Sequence, residues 1–440
     1  MSQVGVVRSA GAEVNRESTK TKQVVVSASV GTMIDWYDFF IFGTAAALFF
    51  PKLFFPSFDP LVGTLLSFGT FSVAFIARPL GAIVFGHLGD KSGRKNILVI
   101  NLLIMGVGTA LIGFLPTYET VGVLAPILLL ILRFVQGIGL GGEYGGAMSL
   151  VAEHSPPARR GYYGGWVEMA CPAGLALSST TVLILAAVLP EQALLSWGWR
   201  IPFLVSVLLI GVGLVIRMKV EESPMFASVK TVHRNPVLVL LRDNSGQTLK
   251  AAAIWLAVNI CFYIAAVFIV SYGRTKLSLS YEQALGSVVG ASLVAVVACV
   301  WAGHLSDLFG RRTIGMIGSL VMILSAYPAF WMIDTGKTPL VFAGTSLILV
   351  ATFIVAGIVP AFFSEMFETR VRYSGVSISI AFGTLLGGGA APSIATASLI
   401  WTGGKSWGVS LMILLSGVIG LIAFALIRKT YPVHPSEEAV

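Results

Sequence analysis

The chain contains little charge and little cysteine. Only 11% of its 440 residues are charged and 56% are hydrophobic, and the mean hydropathy is +0.86. These values lie far from the averages of soluble domains and indicate a membrane protein. A net charge of +8 would suggest nucleic-acid or acidic partners for a soluble chain. Here we interpret it through the placement of Lys and Arg between apolar segments, and we expect no nucleic-acid partner.

The cysteines are few and far apart. Cys171, Cys261 and Cys299 each lie within an apolar segment, which fits neither a disulfide framework nor a metal cluster. The polar N-terminal stretch lacks the short apolar run and cleavage site of a secretory signal. The sequence also lacks the nucleotide-binding pattern GxxxxGK[ST], which argues against an ATP-driven motor. We therefore expect no metal and no cofactor.

Long apolar runs dominate the rest of the chain. A helix needs about 20 apolar residues to cross the hydrocarbon core of a bilayer. Such runs fall near residues 24–50, 61–85, 96–115, 122–151, 162–189, 200–219, 250–273, 282–302, 313–333, 339–364, 373–401 and 407–427. They predict an all-α membrane protein with twelve transmembrane helices in two pseudo-symmetric halves. The expected segments are 1–23 (N-terminal), 24–219 (first half), 220–249 (central loop), 250–428 (second half) and 429–440 (tail).

One phrase occurs in both halves. The sequence GHLGDKSGRK at residues 86–95 returns as GHLSDLFGRR at residues 303–312. Duplicated halves are typical of secondary transporters, so the repeat predicts transport.

The loops differ strongly in positive charge. One alternate set, which includes both termini, the central loop and both copies of the repeated phrase, carries most of the Lys and Arg. Cytoplasmic loops of membrane proteins are enriched in these residues. We therefore expect both termini in the cytoplasm and a multi-pass protein in the inner membrane of a bacterial-type cell.

The repeated phrase resembles the loop that marks the major facilitator superfamily. Further stretches are similar to the metabolite:proton symporter branch of that superfamily, and within it most of all to shikimate permeases. They are DWYDFF (35–40), ARPLG (77–81), RFVQG (133–137), GGEYGG (141–146), SWGWRIPFL (196–204), EMF (365–367) and RYSG (372–375). The resemblance covers roughly residues 24 to 430. It implies the major facilitator fold.

The resemblance also implies a cytoplasmic gate in which Asp90, Arg94, Asp307 and Arg311 form ion pairs while the cavity faces outward. Charges elsewhere support this, because an acidic residue precedes a basic loop at the end of the fourth and of the tenth span. The predicted gate residues are Gly86, Asp90, Gly93, Arg94, Glu153, Asp307, Arg311 and Glu365. The alternative is that the charges only fix topology.

Charged residues also occur inside the first half. Asp35 and Asp38 are three positions apart in the first span, which places them on one side of a helix. Arg133 lies at about the same depth in the fourth span. Burying any of them alone costs at least about 2.5 to 3.5 kcal/mol, so we expect them to face each other or a watery cavity. Our hypothesis is that an aspartate takes a proton, weakens its pairing with Arg133 and lets Arg133 bind an anionic substrate. The alternative is a permanent ion pair that only positions helices.

Two glutamates are harder to interpret. Glu143 in the fourth span and Glu168 in the fifth could each be a second proton site, a substrate contact or a satisfied polar residue. Members of the branch usually carry glutamine where Glu168 stands. An added negative charge would disfavour a second carboxylate on the substrate, so this difference favours a monoanion or a zwitterion. The predicted proton-coupling residues are Asp35, Asp38, Arg133 and Glu168, and the predicted substrate contacts are Arg133, Tyr37, Gln136, Glu143, Asn259 and Tyr263.

The leading functional prediction is proton-coupled uptake of a small organic acid, such as shikimate or a related carboxylate, by alternating access in a monomer. A proton-coupled betaine or proline carrier is the alternative within transport. A nutrient receptor with a transporter-like fold is the alternative from another class, although the central loop leaves little room for a signalling segment. No nucleophile and base are spaced as in an enzyme, so we predict no enzymatic activity.

Overall fold

The computed structural model describes residues 2–92, 94–142, 148, 151, 155–219, 244–367 and 372–427, and across these ranges the chain is helical without strands. We number the long helices α1 to α12. The first six are α1 (Ser2–Leu48), α2 (Pro60–Ser92), α3 (Arg94–Gly113), α4 (Leu124–Gly139), α5 (Arg160–Glu168, continued as Ala170–Val188) and α6 (Ile201–Lys219).

The second set begins with α7 (Ser245–Tyr263), which continues through a π-helical turn (Ile264–Phe268) into Ile269–Thr275. It goes on with α8 (Tyr281–Phe309), α9 (Arg311–Ile333), α10 (Thr338–Ala356, continued as Val359–Met366), α11 (Arg372–Thr384, a π-helical turn at Leu385–Gly389, then Ala391–Trp401) and α12 (Trp407–Leu426). A short helix, Glu191–Ser196, lies between α5 and α6.

The predicted spans agree with these helices in number and order. Within the described ranges, ten helices are long and apolar enough to cross a membrane, and α3 and α4 contain shorter apolar helices, Ile100–Gly113 and Leu124–Gly139. Several boundaries differ, and α2 and α8 continue to Ser92 and Phe309, past their predicted ends at 85 and 302. α1 begins at Ser2, well before the predicted start, and α7 begins at Ser245 inside the expected central loop. Polar residues are tolerated in a helix that continues past the membrane, so hydropathy reports only the apolar part of it.

Glycines bring several helices into backbone contact. A Cβ atom added at Gly137 of α4 would lie 2.5 Å from the carbonyl oxygen of Ala74 in α2. The same holds between the halves, where a Cβ at Gly303 of α8 would lie 2.3 Å from the carbonyl oxygen of Gly161 in α5. Small residues allow such close approach in membrane helices. The α5–α8 pair is therefore held together at backbone distance.

Candidate functional site

Aromatic rings from three helices meet in the middle of the molecule. We call this group the central aromatic cluster; its members are Trp36, Phe39 and Phe40 of α1, Phe71 and Phe75 of α2, and Phe262 and Tyr263 of α7. All except Trp36 are at least 96% buried. Neighbouring ring centroids lie 5.0 Å apart for Phe39 and Phe71 and 5.4 Å apart for Phe75 and Tyr263, in tilted and edge-to-face geometry. Because α7 belongs to the second half, the cluster joins the two halves.

Arg133 is the most deeply buried charge at this cluster. Its side chain is completely buried, and its guanidinium carbon lies 4.1 Å from the ring centre of Phe42 and 4.6 Å from that of Phe39. Nη1 donates a hydrogen bond to Oε1 of Gln136 over 3.2 Å. Within the described part of the chain, Nε and Nη2 have no hydrogen-bond partner. Cation–π contacts offset only part of the cost of burying a guanidinium, so the arrangement is suited to an incoming anion.

Gln136 connects Arg133 to the neighbouring helix. Its Nε2 donates to the hydroxyl of Thr109 in α3 over 2.7 Å, and that hydroxyl donates to the carbonyl of Met105 over 2.9 Å. The amide orientation is therefore set from α3, and Gln136 presents its oxygen to Arg133. The prediction that Gln136 and Arg133 act at one place agrees with this geometry, although a role in substrate binding stays a prediction.

Tyr263 lies on the other side of the same rings. Its centroid is 6.1 Å from Phe39 and 5.7 Å from Phe71, the rings that also contact Arg133. Its hydroxyl is fully buried and, in the ranges described, has no hydrogen-bond partner. Arg133 and Tyr263 therefore bring unsatisfied polar atoms from the two halves to one cluster. Buried polar groups are normally hydrogen-bonded, so this exception marks a candidate binding site.

A second arginine, Arg78, lies at the cluster, and the sequence did not predict it as a site residue. The guanidinium carbon of Arg78 in α2 lies 5.0 Å from the ring centres of both Phe39 and Phe75. Arg78 and Arg133 are the two basic residues that lie in the predicted spans away from the span ends, which was the signal that could have identified Arg78. Phe39 therefore contacts two cations from different helices.

The aspartates of α1 do not pair with Arg133. Asp38 is 98% buried, and its Oδ1 accepts a short hydrogen bond from the hydroxyl of Ser206 in α6. Asp35 is only partly buried. Among the described residues no ion pair joins either aspartate to Arg133. No Asp–Arg ion pair is formed among these residues: Asp38 hydrogen-bonds to Ser206 of α6, and the guanidinium of Arg133 lies against the rings of Phe39 and Phe42.

Three further residues that were predicted to bind substrate or to carry a proton lie in different surroundings. The hydroxyl of Tyr37 donates to the carbonyl of Pro202 over 3.3 Å, so it faces α6 and not the cluster. Asn259 is buried in α7, where its Nδ2 donates to the carbonyl of Trp255. Glu168 is 98% buried in α5, the helix whose Gly165 carbonyl accepts from the thiol of Cys299 in α8. Glu143 lies outside the described residues.

The π-helical turn of α11 packs on the cluster through its glycines. A Cβ at Gly388 would lie 2.7 Å from Cε2 of Tyr263 and 3.0 Å from Cε1 of Phe75, and one at Gly389 would lie 3.1 Å from Phe75. Ser72 of α2 donates a short hydrogen bond to the carbonyl of Gly389. π-helical turns are rare and often found at functional sites. The turn provides a wall of bare backbone against the rings.

At one end of the molecule a polar network joins α5 to α8. Asp307 of α8 accepts from the backbone N–H groups of Gly161 and Tyr162, over 2.9 and 2.8 Å. Arg311 forms ion pairs with Asp307, over 2.5 Å, and with Glu365 of α10, over 3.5 Å. We call this the Asp307 network. Three of the predicted gate residues thus meet, and they do so at the α5–α8 contact.

The remaining gate residues cannot be placed in this network. Gly93 and Glu153 lie outside the described residues. Gly86, Asp90 and Arg94 lie on described helices, at the end of α2 and the start of α3, but their side chains lie outside the part that the structure describes. Their role stays a prediction.

At the opposite end, Glu191 joins both halves. Its Oε1 lies 3.1 Å from Nζ of Lys52, 3.7 Å from Nη2 of Arg274 and 3.3 Å from the hydroxyl of Tyr281. The ring of Tyr281 also stacks under Arg274, 3.8 Å away, and packs on Phe49. We call this the Glu191 network. No sequence pattern predicted it, because its members lie after α1, after α5 and at the adjoining ends of α7 and α8, far apart along the chain.

These features define a class: a twelve-helix membrane transporter, with a buried polar site between two halves and networks that join the halves at both ends. The chain belongs to the sugar (and other) transporter family, which it matches over residues 24–254 and again over residues 239–428. The resemblance to the major facilitator superfamily is thereby confirmed, as is the prediction that the chain is not an enzyme.

Relatives and solved structures agree with this assignment. The chain is 38% identical to the inner membrane metabolite transport protein YhjE of Escherichia coli (strain K12) over 93% of this chain and 94% of that protein. It is 36% identical to the shikimate transporter of the same organism, over 93% and 95%. The crystal structure of a D-xylose-proton symporter has the same fold, with a TM-score of 0.71 at 20% identity over 93% and 98%.

Proposed function

We propose that this chain is a proton-coupled symporter that takes up a small organic acid through the inner membrane. The observation that carries the proposal is Arg133, a completely buried guanidinium whose Nε and Nη2 have no hydrogen-bond partner among the described residues. An unpaired buried charge is costly, and a carboxylate would offset that cost through a bidentate pair. The shikimate transporter among the relatives supports an acid as substrate.

In this proposal the carboxylate binds Nε and Nη2 of Arg133, while Gln136 keeps Nη1 in place. The hydroxyl of Tyr263 then donates to the substrate from the second half. Asn259 lies one helical turn before Tyr263 in α7 and beside the α11 wall. The substrate therefore contacts both halves at once, which is the requirement for coupling its binding to their movement.

The proton site is separate from the anion site in this mechanism. Asp38 is buried against Ser206 of α6. Protonation removes the charge that accepts from Ser206 and so changes the contact between α1 and α6. Phe39 and Phe42 on the same helix contact Arg133, so a shift of α1 changes the packing around the guanidinium that binds the anion. Asp35 and Glu168 are the other candidate proton carriers.

Alternating access requires that the two ends open in turn. The Asp307 network and the Glu191 network each join the halves at one end, and both are formed here. We propose that the Asp307 network faces the cytoplasm together with both chain termini, because the loops on that side carry the basic residues. The name of the inner membrane relative supports the location.

The proposal is tested by uptake of labelled shikimate into proteoliposomes with an imposed inward proton gradient. Unlabelled ketoglutarate, protocatechuate, proline and betaine serve as competitors, and a protonophore is the control. We expect accumulation that the protonophore abolishes and that Arg133→Gln reduces at least tenfold, equivalent to about 1.4 kcal/mol. If shikimate is not taken up, the competitor that is accumulated names the substrate class.

Arg312→Gln is the matched control. Arg312 donates to the backbone carbonyls of Phe424 and Ala425 in α12, and neither of these residues belongs to the central aromatic cluster. Uptake should survive this change. Gradient-driven uptake that Arg133→Gln leaves intact, uptake of proline or betaine alone, or no uptake of any of these compounds contradicts the proposal.

A further inference from the structure

The central aromatic cluster offers polar atoms at one point and rings elsewhere. Unsatisfied buried atoms are present on Arg133 and on Tyr263. Both side chains contact Phe39 and Phe71. A ligand that pairs with these atoms must therefore lie with the rest of its body against phenyl rings.

Other polar side chains around the cluster already have partners. Asn259 donates to Trp255, and Ser72 donates to Gly389. Thr384 accepts from the indole nitrogen of Trp255 over 2.7 Å. A ligand with several hydroxyl groups would lose their hydrogen bonds to water on binding here and would form few hydrogen bonds with the protein in exchange. This disfavours its binding.

The shape of the site favours a flat body. Gly388 and Gly389 place bare backbone opposite Tyr263 and Phe75, at distances that leave no room for one added methyl group. Gly388 and Gly389 belong to the second half and Phe75 to the first, so a movement of the halves apart would open a slot between this backbone and the ring of Phe75. A planar ring fits a slot between backbone and aromatic faces better than a puckered ring of equal size does.

Buried acidic residues nearby limit the charge of the ligand. Asp38 and Glu168 are both 98% buried in α1 and α5. A second carboxylate on the ligand would add to this negative charge, and the other cation of the cluster, Arg78, already stacks on Phe39 and Phe75. The charge balance favours one carboxylate.

Resting on the proposed function, we infer that the site takes a monocarboxylate whose body is a flat, apolar ring. Benzoate represents this class. The inference goes beyond a general organic acid, because it ranks a bare aromatic carboxylate above a polyhydroxylated ring carboxylate.

The test is equilibrium binding of labelled benzoate to the purified full-length protein in detergent, because benzoic acid crosses liposome membranes unaided. Displacement is measured with cyclohexanecarboxylate, which is similar in size but puckered, with shikimate, which is hydroxylated, and with phthalate, which has two carboxylates. We expect each to bind about tenfold or more weakly than benzoate. Shikimate or phthalate binding more tightly than benzoate, or no benzoate binding, would overturn the inference.

A pair of glycine variants locates the binding. Gly388→Ala puts a methyl group 2.7 Å from Tyr263, and Gly417→Ala puts one 2.7 Å from Ile323 between α12 and α9. Benzoate affinity should fall about tenfold or more in the first and stay within about twofold in the second. An equal loss of benzoate affinity in the two variants would contradict the assignment of the binding site to this slot. If Gly388→Ala fails to purify as a monodisperse protein, Phe75→Leu replaces it, with Phe203→Leu as its control at the distant rings of Phe50 and Trp199.

The inference can fail while the proposed function stands. Gradient-driven uptake of shikimate, lost in Arg133→Gln, together with absent benzoate binding, would overturn only the inference. Uptake that ignores the proton gradient or survives Arg133→Gln would overturn the proposed function.

Discussion

The carboxylate of Asp307 in α8 accepts a hydrogen bond from the backbone N–H of Tyr162 at the start of α5, over 2.8 Å. The bond connects the first half to the second. Because the carboxylate also accepts from Gly161 and pairs with Arg311, both of its oxygens are used. Charge-assisted bonds of this kind are stronger than neutral ones.

Asp307→Asn should therefore open the α5–α8 contact. Asparagine keeps one acceptor oxygen but loses the charge and the second acceptor. The thiol of Cys299 lies in this contact, 3.5 Å from the carbonyl oxygen of Gly165. We expect maleimide to react with Cys299 about tenfold faster in the variant, equivalent to about 1.4 kcal/mol of lost closure. Cys261, buried in α7, is the internal control; a rate increase at both thiols would indicate unfolding instead.

The Glu191 network should weaken at low pH. The hydrogen bond and charge of Lys52, with smaller effects of Arg274 and Tyr281, lower the pKa of Glu191 in opposition to its slight burial. A lowered folded-state pKa means that the stabilisation is complete above the pKa of an unpaired glutamate and is lost as the pH falls through the folded-state value. Lys52 and Glu191 are both more than half exposed, so the effect is modest and decreases with salt.

Thiol labelling measures this change at Phe49, which packs on Tyr281. In Phe49→Cys the reaction rate, corrected for the thiolate fraction, should rise as the pH falls below the usual glutamate range. Adding Glu191→Gln should raise the rate at neutral pH and remove its pH dependence. An unchanged pH dependence in that double variant would show that another group is titrating.

Replacing Arg133 by an apolar side chain should stabilise the protein while it abolishes uptake. Arg133→Met removes a guanidinium that is completely buried and only partly hydrogen-bonded within the described residues. Apolar replacements of buried charges are often neutral or stabilising, here by about 1 kcal/mol. Thermal unfolding in detergent should show a higher Tm. Arg312→Met should lower the Tm, because it removes two hydrogen bonds to α12. A lower Tm in both variants would contradict the claim that burying the Arg133 guanidinium destabilises the protein.

Asp38→Asn should separate transport from proton coupling. The amide keeps an oxygen that accepts from Ser206, but it cannot carry a proton between the two sides. We expect exchange of labelled for unlabelled substrate to persist while accumulation driven by a proton gradient is lost. Accumulation retained in both Asp38→Asn and Asp35→Asn would contradict a proton-carrying role for the aspartates of α1.

Much of this architecture was predictable because it depends on local properties. Apolar length specifies a membrane helix wherever it occurs, and the repeated phrase at 86–95 and 303–312 indicated the duplication without any three-dimensional information. The same holds for Arg133, since a charge inside an apolar run is costly enough to indicate a site. The family resemblance pointed to Asp307 and Arg311 as gate residues, and the place of Glu365 before a basic loop added it to them.

The partners of these residues were decided only by the tertiary structure. Asp35 or Asp38 was expected to pair with Arg133, yet Asp38 hydrogen-bonds to Ser206 of α6 and the guanidinium lies against Phe39 and Phe42. Glu191 and Lys52, from the connections after α5 and α1, meet Arg274 at the end of α7, and no sequence pattern links them. The physical reason is that hydropathy determines that a helix spans the membrane, whereas its rotation about its own axis is determined by the side chains and glycine contacts of helices far away in the chain.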